Sequence, residues 1–150
     1  IYNEGIADRI ATFETRPRTP DDIAAWFGGR HPVVVVEDAT SGVGDVIAFA
    51  AASLYRPREC YAGIAEFSVY VARAARGRGA GRRAMEALLA AAEAAGFTKL
   101  VSRVFVENTA SLGLLRSLGF REVGVYEKHG QLDGVWRDCV IVERLIGETE

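Results

Sequence analysis

The chain has 150 residues and a formal net charge of −2, and its 49% hydrophobic content is ordinary for a globular protein. This length predicts a single domain over residues 1–150, and the near-neutral charge excludes a global basic field of the kind that attracts nucleic acid. No apolar run is long enough to cross a bilayer and no signal peptide is visible, so we expect a cytoplasmic protein without a membrane partner.

The first third of the chain predicts two helices and a β-hairpin. The chain begins without a methionine on residues typical of a helix end, stopped by Gly5, so we expect the first strand of the domain to lie outside this sequence. Residues 19–22, Thr-Pro-Asp-Asp, are typical of a helix start, and Gly28 and Gly29 of its end. Val33 to Val36 predicts a buried strand, and a turn at 41–44 leads into a second strand over about 45–53.

The middle of the chain predicts a strand, a basic glycine loop and a helix. The strand covers about Gly63 to Val71, and its alternation places Glu66 on the face opposite Phe67. The helix runs from about Gly81 to Ala95. Five arginines lie around the loop: Arg73, Arg76, Arg78, Arg82 and Arg83. Free N–H groups, the helix dipole and these cations together favour binding of a polyphosphate.

The last third predicts a strand, a short helix and two closing strands. The strand covers about 100–106, and the helix begins at Asn108 and ends at Gly119. The closing strands cover about 122–127 and 137–146 and are joined by a loop over 129–134. Together these elements predict an α/β fold, a mixed sheet with helices on both faces.

The glycine loop has alternative interpretations. Residues 79–84 fit the dinucleotide pattern GxGxxA, and Glu107 lies where an acid that binds ribose is sought. However, residues 72–76 separate the loop from its strand, and one βαβ unit is too few for a doubly wound sheet. The P-loop pattern of nucleotide kinases is absent. A plain basic turn remains possible, and a phosphate cradle is favoured.

Residues 76–81, Arg-Gly-Arg-Gly-Ala-Gly, resemble motif A of the GCN5-related N-acetyltransferases, which holds the pyrophosphate of coenzyme A. Asn108 and the run 118–120, Leu-Gly-Phe, resemble motif B of that superfamily. The resemblance implies acetyl-CoA as cofactor and a mostly antiparallel sheet whose parallel strands splay at the acetyl-CoA site. Asn108 has the simpler alternative role of a helix cap. The implied cofactor contacts are Val69, Tyr70, Val71, Arg76, Gly77, Arg78, Gly79, Ala80, Gly81, Arg82, Asn108 and Ser111.

One branch of the superfamily is similar over nearly the whole chain. Residues 12–17, 55–61, 65–71 and 128–130, together with Trp136, resemble the phosphinothricin and methionine sulfoximine acetyltransferases and the related arsinothricin enzymes. The resemblance implies a homodimer that needs no metal. It also implies acetylation of the α-amine of a small acidic amino acid analogue, and hence detoxification and resistance.

Glu66 is the predicted catalytic base. An α-amine is mostly protonated at neutral pH and must lose that proton before it attacks a thioester. The alternative is a carboxylate that pairs with an arginine in the sheet. The resemblance implies that the N–H group of Val69 stabilises the oxyanion. Leu115 stands where many members have a tyrosine that protonates the thiolate, so water, another group such as Tyr70, or no acid serves this step. Neither Cys60 nor Cys139 is placed as a nucleophile or in a CxxC pair, which favours direct transfer.

Acceptor binding is predicted at Arg56 and Arg58, whose guanidinium groups suit carboxylate and phosphinate oxygens. Phe13 matches an aromatic residue that lines the family's pocket. The simpler alternatives are a solvated surface for the arginines and a core position for Phe13. His129 is predicted to be a loop or interface residue. Two other functions stay open: acetylation of a protein N-terminus or a polyamine, and binding of acyl-CoA without catalysis.

Overall fold

The computed structural model describes residues 1–38 and 44–147. Four α-helices and six strands follow one another in these ranges: α1 (Tyr2–Asp8), α2 (Pro20–Ala24), β1 (Val33–Asp38), β2 (Asp45–Leu54), β3 (Ile64–Val71), α3 (Ala80–Ala94), β4 (Lys99–Phe105), α4 (Thr109–Ser117), β5 (Arg121–Leu132) and β6 (Val135–Leu145). Within the described residues, none of the helices has the length and apolar character needed to span a membrane.

The six strands form one mixed sheet in the order β1-β2-β3-β4-β6-β5. All neighbouring pairs are antiparallel except β3 and β4, which are parallel over three residue pairs from Ile64↔Lys99 to Glu66↔Val101. Beyond Glu66 the parallel pairing stops, although β3 continues to Val71. The predicted mixed, mostly antiparallel sheet with splayed parallel strands is therefore confirmed.

Helices cover both faces of the sheet. On one face, Ala65 and Phe67 of β3 join the main core with residues of α3 and with Leu115 of α4. On the other face, the Tyr70 ring contacts Tyr2 of α1, with ring centroids 5.1 Å apart. This division follows from the alternation of β3, because successive side chains point to opposite faces of a strand.

The two helices that flank the central strands begin where the sequence predicts. The helix α3 starts after Gly79, whose φ of 80° lies in the left-handed region that favours glycine. Its stripe of Met85, Leu88 and Ala92 is fully buried, which stabilises the fold by about 1.5–3 kcal/mol for each large side chain. The helix α4 starts after Asn108, whose side-chain oxygen accepts a hydrogen bond from the N–H group of Ser111 at 3.3 Å.

Three predictions for the first third of the chain are corrected. The first helix does not end at Gly5; it continues to Asp8, and Arg9 takes the left-handed conformation instead. The helix α2 has the predicted cap at Thr19 but ends at Ala24, before Gly28. The strand β1 is an edge strand rather than a buried one, and the Val35 side chain is 45% exposed.

The connection predicted over residues 129–134 is also corrected. The strand β5 runs to Leu132, and the turn consists of Asp133 and Gly134 alone, with φ values of 52° and 78°. Two positive φ values are typical of a type I′ hairpin turn, for which Asp-Gly is a favoured sequence. The pair β1 and β2 confirms the predicted hairpin, while most of its predicted turn lies outside the described residues.

Candidate active site at the strand separation

The gap between β3 and β4 opens at a defined point. Glu66 and Val101 are the last parallel pair, and the next residue on β4, Ser102, donates a side-chain hydrogen bond to the Phe67 carbonyl oxygen at 2.9 Å. This bond satisfies the first carbonyl of β3 that lies beyond the ladder. Because a buried carbonyl without a partner costs free energy, the bond makes the separation compatible with a well-packed sheet.

The backbone of β3 presents N–H groups to this gap. Ala72 donates its N–H to the carbonyl of Ile47, towards β2, and the Phe67 carbonyl points to β4. Successive residues of a strand direct their backbone groups to opposite edges. The N–H groups of Val69 and Val71 therefore point towards β4, where the strand has moved away. This position is the one expected for donors to a bound ligand.

A cavity of about 370 Å³ passes through the gap and has walls from both faces of the sheet. Glu66 and Tyr70 come from one face, and Phe67 and Val69 from the other. Sequence reasoning missed several of its lining residues, because tertiary packing rather than the local sequence brings them beside Glu66. The missed residues are Tyr2, Thr12, Glu14, Trp26, Ser53 and Arg103.

Glu66 lies in the wall of this cavity with a cation beside it. Its Oε1 is 3.4 Å from Nη2 of Arg103, and its side chain is 25% exposed. Nη1 of Arg103 is in turn 3.5 Å from Nε2 of His129. The arginine pairing foreseen as an alternative role for Glu66 is thus present. A carboxylate at a cavity wall can also accept a proton, and catalysis by Glu66 stays a prediction. The signal for Arg103 was a single charge in the apolar strand Leu-Val-Ser-Arg-Val-Phe.

A second cavity of about 460 Å³ adjoins the first and is lined by the glycine loop and the start of α3. All the predicted cofactor contacts line it except Arg78, which pairs instead with Asp38 at 3.1 Å. Five residues line both cavities: Ala11, Val69, Tyr70, Asn108 and Ser111. A ligand in one cavity therefore shares a wall with a ligand in the other.

The glycine loop has room for a phosphate-bearing ligand. Gly77 and Gly79 have φ values of 77° and 80°, and a Cβ atom at either would meet nothing within 4 Å. No side chain caps the first N–H groups of α3. Gly81 serves a different purpose, since a Cβ there would lie 3.2 Å from Leu114 and 3.4 Å from Val71. The small residue lets α3 approach both neighbours closely.

Four of the five arginines around the loop already have acidic partners. Asp8 of α1 pairs with Arg73 and Arg76, each at 2.8 Å. Hydrogen bonds from these two guanidinium groups lower the pKa of the Asp8 carboxyl below its usual range. Arg82 donates to the Ser117 hydroxyl at 2.8 Å and pairs with Glu86 at 3.3 Å. The loop is thus tied to α1 and α4 while its glycines stay open.

Aromatic side chains form one wall of the acceptor cavity, by which we mean the 370 Å³ cavity beside Glu66. The Tyr2 ring packs edge-on against Tyr70 and against Trp26, with centroids 5.1 and 5.4 Å apart. Burial raises the pKa of Tyr70 well above its usual range, so the phenol keeps its proton at ordinary pH. Leu115, where the family resemblance leads one to expect a tyrosine, is buried, at 1% exposed.

Three predicted acceptor contacts lie away from the walls of both cavities. Phe13 packs edge-on against Phe105, with centroids 4.7 Å apart, in a small separate cluster. Arg56 lies over the Tyr55 ring at 4.9 Å, and Arg58 is exposed. The structure therefore does not bring these three residues together with Glu66. Among the described residues, no group of three or more His, Cys, Asp or Glu side chains could hold a metal ion.

Comparison with known proteins agrees with this arrangement. The model of the acetyltransferase (GNAT) family matches residues 4–120. The chain belongs to this family. It is therefore an acetyltransferase.

Three similar proteins show which members of the family this chain resembles. The L-methionine sulfoximine/L-methionine sulfone acetyltransferase of Pseudomonas paraeruginosa is 35% identical over 99% of this chain and 87% of its own length. A phosphinothricin acetyltransferase from Sinorhizobium meliloti, solved in complex with acetyl-CoA, is 31% identical, with a TM-score of 0.88 over 98% of this chain and 80% of its own. A ribosomal-protein-alanine N-acetyltransferase from Brucella melitensis is also 31% identical, with a TM-score of 0.89 over 97% and 90%. The predicted similarity to the phosphinothricin and methionine sulfoximine branch is confirmed.

Proposed function

We propose that the chain transfers an acetyl group from acetyl-CoA to the α-amine of a small acidic amino acid analogue, such as phosphinothricin, methionine sulfoximine or arsinothricin. The observation that carries the proposal is the junction of the two cavities. A carboxylate, Glu66, lies in the wall of one, and an open glycine loop forms the other. The shared wall allows an acceptor and a cofactor to be bound at the same time, as direct transfer requires.

The cofactor supplies an acetyl group activated as a thioester. The loop residues from Arg76 to Arg82 are suited to its diphosphate, because glycine N–H groups, a helix N-terminus and guanidinium groups lie side by side. The N–H group of Val71 points into the gap and is suited to the pantetheine arm, as are the side chains of Asn108 and Ser111. The N–H group of Val69 is suited to the carbonyl oxygen, on which negative charge develops during the reaction.

Glu66 accepts a proton from the ammonium group of the acceptor, directly or through a water molecule. Leu115 cannot donate a proton to the leaving sulfur. A thiolate leaves without assistance far more readily than an alkoxide, because the pKa of a thiol is only about 8.5. Neither cysteine serves as an acyl carrier: Cys60 lies outside both cavities, and burial raises the pKa of the Cys139 thiol.

Acetylation removes the positive charge of the amine, so the product no longer resembles glutamate to the enzymes that such analogues inhibit. Detoxification and resistance are the proposed role, carried out in the cytoplasm by a homodimer. Arg56 and Arg58, which lie outside the walls of both cavities, are proposed to bind the carboxylate or phosphinate oxygens of a glutamate-like acceptor. Phe13 is proposed to support the pocket from the cluster around Phe105.

The test is a steady-state measurement of acetyl-CoA consumption with a panel of acceptors. The panel contains phosphinothricin, methionine sulfoximine, an alanine-terminal peptide and a polyamine. We expect turnover of the first two and little of the others. The peptide is included because of the likeness to the ribosomal-protein-alanine enzyme, which makes protein N-terminal acetylation the second candidate. Turnover of the peptide alone overturns the proposed acceptor, and acetyl-CoA binding without any turnover favours the non-catalytic alternative.

A further inference from the structure

Arg103 has no role in the chemistry described so far, although it lies in the wall of the acceptor cavity. It stands on β4 two residues beyond Val101, where the parallel ladder ends. Its side chain is 48% exposed, and its pair with Glu66 is long for an ion pair, at 3.4 Å. Because half-exposed pairs of this kind contribute at most about 1 kcal/mol, the fold does not depend on this arginine.

We propose that Arg103 binds the α-carboxylate of the acceptor, and that Arg103 and Glu66 together recognise the zwitterionic head of an α-amino acid. The inference rests on the proposed function and names the group that the site recognises. In an α-amino acid the ammonium and the carboxylate are attached to the same carbon atom. On the protein, the Arg103 guanidinium lies beside the Glu66 carboxylate. The protein thus presents a positive charge to the carboxylate of the acceptor and a negative charge to its ammonium group. When the acceptor binds, its carboxylate takes the place of Glu66 beside Arg103, and its ammonium group takes the place of Arg103 beside Glu66.

The charge of the cavity wall supports this assignment. Among the described residues that line the acceptor cavity, Arg103 is the single cation, and Glu14 and Glu66 are the two anions. Glu14 accepts a hydrogen bond from Arg18 at 2.9 Å, and Arg18 lies outside the cavity wall. Without Arg103 the wall would repel a carboxylate. With it, a bidentate contact to a carboxylate is possible, which a lysine cannot reproduce.

His129 limits the positions that Arg103 can take. Its Nε2 lies 3.5 Å from Nη1 of Arg103, on the guanidinium nitrogen that does not contact Glu66. The imidazole also packs against the Tyr126 ring, with centroids 4.8 Å apart. The guanidinium is thus held between β3 and β5, which reduces the entropy lost when it binds an anion.

The experiment compares an amino acid acceptor with its α-carboxamide, which keeps the amine and loses the negative charge. Methionine sulfoximine and its carboxamide are the pair, assayed with saturating acetyl-CoA. The variants are Arg103→Gln and Arg103→Lys. Arg121→Gln is the control, because Arg121 is an exposed arginine of β5 that pairs with Glu143 away from the cavity. Thermal unfolding and acetyl-CoA affinity are measured for each to establish that the fold and the cofactor site are intact.

For the amino acid we expect Arg103→Gln to raise KM by about 10- to 100-fold, as loss of a hydrogen-bonded charge contact implies. The KM of the carboxamide and the affinity for acetyl-CoA should stay unchanged, and Arg103→Lys should fall between wild type and glutamine. Equal effects on both acceptors, or none on either, overturn the role of Arg103 while the acetyltransferase function stands. If the wild-type protein acetylates no amino acid analogue, the proposed function fails, and this inference fails with it.

Discussion

The Ser102 hydroxyl donates a hydrogen bond of 2.9 Å to the Phe67 carbonyl oxygen, one residue beyond the last parallel pair of β3 and β4. One polar side chain thereby satisfies the backbone group that the strand separation would otherwise leave without a partner. The separation in turn leaves the N–H group of Val69 pointing into the gap. The hydrogen bond is thus a structural condition for the proposed active site.

Replacing Ser102 with alanine should therefore affect stability and activity together. The Phe67 carbonyl loses its partner in a partly buried place, which costs about 1 kcal/mol of unfolding free energy and lowers Tm by about 2–4 °C. We expect kcat/KM to fall as well, because the strand end is less well fixed. Ser102→Thr keeps the hydroxyl group and should therefore keep most of the wild-type stability and most of the wild-type kcat/KM. Wild-type Tm and kinetics in the alanine variant would show that the bond has no such role.

Replacing Glu66 with glutamine removes the proton acceptor and keeps the shape of the side chain. We expect kcat to fall by about 100- to 10,000-fold, while acetyl-CoA affinity measured by calorimetry stays unchanged. Glu122→Gln is the matched control, because Glu122 pairs with Arg116 on the surface. A glutamine variant with nearly normal kcat at all pH values means that another group is the base.

The aromatic wall of the acceptor cavity makes Gly5 sensitive to substitution. A Cβ on Gly5 would lie 2.7 Å from the Tyr70 ring, so Gly5→Ala should push the ring and destabilise the protein by about 1–3 kcal/mol. Gly113 in α4 is the matched control: it is also helical, and a Cβ there would meet nothing within 4 Å. Gly113→Ala should raise Tm slightly, because alanine favours a helix by about 1 kcal/mol over glycine. Tm values that fall equally in both would contradict this difference in packing.

The ion pairs of Asp8 predict a dependence of stability on pH. Hydrogen bonds from Arg73 and Arg76 lower the pKa of this carboxyl in the folded state. Its contribution is therefore full at neutral pH, begins to be lost below about pH 4, and disappears once the folded carboxyl takes up a proton. Asp8→Asn should lower Tm at pH 7, less so in high salt, and match wild type in strong acid. The control is Glu59→Gln, because Glu59 is an exposed acid outside this cluster. The Tm difference between this variant and wild type should not shrink as the pH falls.

The motifs and the central elements could be predicted from the sequence because local physics determines them. The loop around Gly79 needs positive φ, and the stripe of α3 repeats at helical spacing. The walls of the acceptor cavity could not be predicted, since Tyr2, Trp26 and Arg103 are brought together by tertiary packing alone. The Asp-Gly pair at 133–134 favours a hairpin turn, but the polar residues before it extend the predicted loop back to His129, where the structure continues the strand. The places of Arg56 and Arg58 outside the cavity walls likewise depend on how a loop folds.

The three residue pairs between β3 and β4 are the seam of the sheet. On one side lie β1, β2 and β3, and on the other β4, β6 and β5, each set antiparallel throughout. Backbone bonding across the seam is short, so side-chain packing from α3 and α4 must couple the two halves into one cooperative unit. If that packing is weakened, amide hydrogen exchange should distinguish the two halves of the sheet. The backbone amides between β3 and β4 should exchange first.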